Sequence, residues 1–145
     1  MAITKFLARD ITPEVKIAGN YTAIGGVETL SHSPSKETAD STDFDSNGHA
    51  EHVVVQRGDE WTLEGFWLQD VNTGVTDPGQ AELVEAAREI GLSATREVRL
   101  TTPSGYGVRF TCSVEVTGPD GGHNDLAAFS AVLEVTGEPQ YFGPS

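Results

Sequence analysis

Between Tyr106 and Val116 the chain alternates without a break. Tyr106, Val108, Phe110, Cys112, Val114 and Val116 fall on one parity; Gly107, Arg109, Thr111, Ser113 and Glu115 fall on the other. A period of two places one set in a core and the other in water, which is the pattern of a half-buried β-strand. Its expected partner is Leu126–Val135. The intervening Thr117–Asn124 is rich in Gly, Asp and Asn, residues that tolerate positive φ. Pro103-Ser104-Gly105 supplies the turn before the strand.

Weaker copies of the same pattern recur. Val15 and Ile17 share a parity, as do Val98 and Leu100. Tyr21–Leu30 reads as a strand interrupted at Gly25-Gly26, where a bulge or bend is expected. Val53-Val54-Val55 is β-branched, and Glu60–Leu68 puts Trp61, Leu63 and Trp67 on one face. One segment reads as a helix, at about 78–90. Asp77 is a good N-cap, Pro78 suits the first helical position, and Gln80 completes a capping box. Leu83, Val84, Ala87 and Ile90 make the apolar stripe, and Gly91 is placed to stop it. Residues 31–48 are polar apart from Phe44, and read as a long extended loop of the kind usually reserved for function. The expected fold is mainly β: an antiparallel β-sandwich or partly closed barrel with one flanking helix.

Length and charge bound the rest. A chain of 145 residues fits a single domain and buries roughly 70% of its unfolded surface. The lone Cys112 forms no internal bridge, which suits a reducing compartment. No apolar run approaches the roughly 18 residues of a membrane helix, and the N-terminus lacks a signal-peptide pattern, so no membrane partner is expected. The net charge is −13, with 22 acidic residues against 9 basic. Adhesion to nucleic acid needs the opposite footprint. Residues 58–87 carry seven acids and no base, and residues 110–145 carry five more, again unopposed. Arg88, Arg96, Arg99 and Arg109 lie bunched between these blocks, a distribution that lets a basic face of one copy meet an acidic face of another.

The motifs that point to chemistry fail on spacing. Asp43, Asp45 and Asn47 match the start of a calcium-binding loop, but the twelfth position, which needs a bidentate glutamate, is Val54. His49 and His52 are three apart before a strand, so they point to opposite faces rather than to one metal. Cys112 sits among apolar neighbours, where a thiol is inert, and His123 is remote from it. No nucleophile elbow or phosphate-binding loop is present. No enzyme activity, cofactor or metal is expected. Trp61 and Trp67 offer a sugar platform as an alternative to core packing, and a small carbohydrate- or calcium-binding module is the competing reading.

The stretch from Ser33 to Asp70, with Arg57-Gly58 followed by Thr62-Leu63-Glu64-Gly65, resembles phage tail tube proteins, the major tail proteins of long non-contractile tails. The resemblance continues through Asp77-Pro78-Gly79-Gln80 and again from Cys112 to Pro139. It implies a single tail-tube domain over 1–145, with an N-terminal arm over 1–13 and a loop over 31–48 that reaches an adjacent ring. Candidate loop contacts are Ser33, Pro34, Lys36, Glu37, Asp40, Thr42, Asp43, Phe44 and Asp45. It further implies rings, six subunits each, stacked into a tube through which the genome passes without binding. Its implied partners are further copies of itself, a tape-measure protein, and tail-terminator or tail-tip proteins. Its implied location is the virion tail, assembled in the host cytoplasm. Glu64, Glu115 and Glu134 sit mid-strand among polar or small neighbours and are the lumen candidates; the four bunched arginines are the inter-subunit candidates. A terminator or connector ring is a further alternative.

Overall fold

The computed structural model describes residues 4–40, 48–49, 52–123 and 126–143. Seven strands are arranged in one antiparallel sheet: β1 (Thr12–Ile17), β2 (Asn20–Ala23), β3 (Val27–Asp40), β4 (His52–Phe66), β5 (Thr95–Thr101), β6 (Gly107–Asp120) and β7 (Ala128–Phe142). Their order across the sheet is β2-β1-β5-β6-β7-β4-β3. The alternating segment is the central strand β6. Phe110, Cys112 and Val114 are buried, whereas Thr111, Ser113 and Glu115 are exposed. It pairs with β7 in a register that sets Val114 opposite Leu133, and with β5 so that Phe110 lies opposite Val98.

The sheet must curl. β2 and β3 are its two edges, yet only Ile24, Gly25 and Gly26 separate them in sequence. Seven flat strands would set the edges about 29 Å apart at ~4.8 Å per step, whereas four extended residues span at most about 14 Å. Curling brings the apolar faces of both halves together. Val15 and Val98 from one half join Leu63, Phe129 and Leu133 from the other in one buried cluster.

The helix α1 (Pro78–Ala87) covers part of this cluster, burying Leu83 and Ala86 against β6 and β1. Asp77 caps it, accepting from the Gln80 N–H at 3.2 Å and from the Gly25 N–H at 3.1 Å. Gln80 is fully buried, and its side chain does not turn back to the cap. Its Nε2 donates to the carbonyls of Gly25 and Phe66, both at 2.8 Å, and its Oε1 accepts from the Leu68 N–H at 3.0 Å. One side chain therefore ties the Gly25-Gly26 corner, the end of β4 and the helix start. The corner is tight: Gly26 has φ +76°, and a Cβ on Gly65 would overlap the Gly26 carbonyl.

Two expectations need correction. The helix ends at Ala87 rather than near 90, and Ile90 is 92% exposed, so it does not extend the buried stripe. Residues 31–40, expected as the first part of a loop, are strand: β3 pairs with β4 as far as Asp40–His52. Every residue from Ser31 to Asp40 is exposed, so no apolar face imposes the period that marks a strand in sequence.

Candidate assembly surfaces

One face of the sheet holds the core; among the described residues the other is uncovered and polar. The pairing register sorts the residues. Glu64 lies between Thr29 and Ser130, Glu115 lies opposite Val132, and Glu134 lies between Glu60 and Ser113. The three lumen candidates thus share the uncovered face, and all three are exposed. Glu60 joins them. Parity along β4 would have added it, but its position directly opposite Glu134 depends on a register that no sequence pattern declares. Like charges facing across a strand pair are destabilising, so this face is more acidic than stability alone would favour.

The β1–β5 side of the same face is mixed in charge. Arg99 forms a two-pronged bond to Glu14, at 2.9 and 3.2 Å, and its guanidinium stacks 4.1 Å from the Tyr21 ring centre. The Tyr21 hydroxyl donates to Glu97 at 2.5 Å, and Lys16 approaches the same carboxylate at 3.3 Å. Burial, and then the bond to Glu97, push the Tyr21 hydroxyl up to about 12. The bond from Tyr21 holds the Glu97 carboxyl below its ordinary value. Arg109 lies opposite Arg99 on β6 and is exposed. Arg96 is engaged on the other side, by Glu82 at 2.7 Å and by the carbonyls of Ser93 and Thr95. Of the four bunched arginines, Arg96 and Arg99 are held within the chain; Arg88, just past α1, and Arg109 are the exposed pair.

The second surface is a hairpin arm. Among the described residues β7 pairs with β4 only along Glu60–Phe66, and residues 52–59 pair with β3 alone. At ~3.4 Å per residue the arm projects about 27 Å. Ser33, Pro34, Lys36, Glu37 and Asp40 lie on it; Thr42, Asp43, Phe44, Asp45 and Asn47 fall outside the described residues. A bulge sets the pair Glu37–Gln56 beside Thr38–Val54, leaving Val55 extra. Val53, Val54 and Val55 are all exposed on the arm, at 53%, 39% and 61%. A bare two-stranded ribbon is marginal in water.

Trp61 stacks on Phe110 and His32, and Trp67 meets Phe129 edge-on at 4.8 Å, so both are half-buried against the core. Cys112 is fully buried, and burial pushes its thiol up to about 12.

The sequence matches no protein-family model, and no curated protein matches it in sequence. Solved structures match in fold. One is the tail of an empty gene transfer agent particle refined with C6 symmetry, with a TM-score of 0.71 at 18% identity over 96% of this chain and 100% of that one. The chain shares its fold with a chain of that tail. A sixfold-symmetrised baseplate of an anti-feeding prophage shares it, with a TM-score of 0.62 at 11% identity over 98% of each chain. So does a chain in the structure of an extracellular contractile injection system's sheath/tube terminator in its extended state, with a TM-score of 0.62 at 16% identity over 99% of this chain and 100% of that one. The uncovered polar face and the projecting arm are features of this chain within the shared fold.

Proposed function

We propose that the chain is a structural subunit of a phage-type tail, a single tail-tube domain that assembles into sixfold rings stacked as a tube. The observation that carries this reading is the uncovered acidic sheet face, in a fold shared with chains from sixfold tail assemblies. A wide sheet face with Glu60, Glu64, Glu115 and Glu134 and no covering layer suits the wall of an aqueous channel. Carboxylates there repel phosphates, so a genome crosses without adhering. The subunit's work is assembly and passive conduction, with no catalytic step. Its partners are further copies of itself, with a tape-measure protein inside and terminator or tip proteins at the ends; it belongs to the virion tail, built in the host cytoplasm. Arg88 and Arg109 serve as cations between subunits.

Negative-stain microscopy of the purified protein at high concentration tests this: hollow tubes are expected. Monodisperse particles under all conditions, including with a tail-assembly initiator present, would overturn it. Replacing residues 36–57, both strands of the arm, with a tight turn that joins Ser35 to Gly58 should abolish tubes while leaving the rest of the sheet folded by circular dichroism and thermal melting. A terminator ring is the second reading, favoured by the fold shared with a chain in a sheath/tube terminator structure. It predicts single closed rings that never elongate.

A further inference from the structure

The arm is clamped where it leaves the sheet. Among the described residues Glu60 is the last of β4 to pair with β7, opposite Glu134, so Asp59 is the first on the bare ribbon. Trp61 stands on the sheet side of that boundary. It lies opposite Leu133 on β7 and stacks on Phe110 of β6, with ring centres 6.3 Å apart and planes 5° apart. His32 on β3 spans the boundary. It lies directly across from Trp61, and its ring stacks on the indole at 4.2 Å with an 18° tilt. Its Nε2 is 2.8 Å from Oδ1 of Asp59. One imidazole thus touches both the anchored side and the free side of the junction.

Protonation strengthens both contacts. An imidazolium donates a charge-assisted bond to a carboxylate, and a cation over an indole face is attracted by the ring quadrupole. Histidine is the side chain that ordinarily changes charge between pH 5 and 8. Among the described residues Asp59 is the carboxylate within ion-pair distance of His32. The same face of the ribbon continues with Lys36 opposite Arg57, two cations that oppose a charge on His32, and Asp59 stands between them and the imidazole. The 3-10 turn Ala8–Asp10 packs against β3 and carries Arg9 and Asp10, both exposed and opposite in charge. β6 and β7 present Phe110 and Leu133 to Trp61. Tyr106 and Tyr141 share an apolar cavity of about 390 Å³ with it and bring hydroxyls.

We infer that His32, Asp59 and Trp61 form a protonation-dependent brace, which holds the hairpin arm at one angle to the sheet when His32 is charged and slackens when it is neutral. Beyond the root, β3 and β4 pair with each other alone among the described residues. Such a ribbon is marginal by itself, so its direction is set where it joins the sheet. An arm already held in place has less freedom to lose when it meets another surface. The brace lies within one chain and holds whether or not the chain builds tubes.

Hydrogen exchange at low protein concentration tests it. Protection factors, which remove the intrinsic effect of pH on exchange, are compared for residues 31–40 and 52–59 against those of β6. On going from pH 8 to pH 5 the relative protection of the arm should rise about fivefold, the combined size of one exposed cation–π contact and one partly exposed ion pair. His32→Phe keeps a ring on Trp61 but takes no proton, and should be flat over that range. Asp59→Asn should keep less than half of the rise. Circular dichroism and thermal melting verify that both variants fold. Tryptophan emission of the unaltered chain should fall on acidification, since an imidazolium quenches an indole it stacks on, and His32→Phe should abolish the fall. Flat protection in the unaltered chain would overturn the brace. A rise that survives in His32→Phe would assign it to His52, opposite Asp40 at the other end of the arm, and would overturn it too. A full rise in Asp59→Asn would contradict the carboxylate's part, and emission that ignores pH would contradict the stack.

Discussion

Gln80→Leu keeps most of the side-chain volume and removes both polar atoms. Three backbone groups then lose their partner: the carbonyls of Gly25 and Phe66 and the N–H of Leu68. Each buried group left unsatisfied costs about 1–3 kcal/mol, and partly buried ones fall at the low end. The expected loss is about 3 kcal/mol, a large share of a domain stability of roughly 5–15 kcal/mol. At about 2–4 °C per kcal/mol for a chain of this size, the melting temperature should fall by about 10 °C. Urea denaturation followed by tryptophan fluorescence measures it, with an unchanged dependence on urea showing that the unfolded state is the same. Gln80→Glu sharpens the test. It retains an acceptor for Leu68 but sets a carboxylate against two carbonyls, so its pKa in the folded state is raised. Its damage should be at least as large at neutral pH and should diminish as pH falls and the carboxyl regains a proton to donate. A loss under about 1 kcal/mol for Gln80→Leu would refute the view that this one side chain holds the corner.

Glu134→Gln removes the like charge facing Glu60 and should stabilise the monomer by about 0.5 kcal/mol in low-salt urea titrations; destabilisation would contradict the register-based account. Tyr21 has a folded value raised from 10.0 to about 12, so its contribution is complete below pH 10 and is lost between there and 12. Glu97 is lowered, so its contribution is present above the ordinary glutamate value and is lost as pH falls through the folded value. Tyr21→Phe should flatten the alkaline limb of a stability–pH curve and weaken the acid one; an unchanged curve would contradict the pairing. Cys112 should resist a disulfide reagent in the folded protein at pH 8 and react once urea unfolds it, since burial holds the thiol protonated; rapid native labelling would contradict that.

The legibility of the fold in the sequence followed burial. β6 was readable because one face lies in the core and the other in water. The strand Ser31–Asp40 was not, because the arm buries neither face and leaves no period to detect. The helix start was legible in Asp77 and Pro78. Its end was misplaced because Ile90 has helical spacing, although the chain has already left the helix by then. Gln80 was legible as a capping residue, but its bonds to Gly25, Phe66 and Leu68 depend on a corner that only the curled sheet creates. Parity alone sufficed to put Glu64, Glu115 and Glu134 on polar faces. That those faces are one face, and that Glu60 opposes Glu134 across it, follows from strand register. The pairing of Lys36 with Arg57 was hidden for the same reason.

Cryo-electron microscopy of the assembled protein tests the central claim most directly. The account predicts hollow tubes of stacked rings whose lumen is lined by the sheet face bearing Glu60, Glu64, Glu115 and Glu134, with α1 on the outer side. A tube with that face turned outward, or one lined by α1, would contradict it.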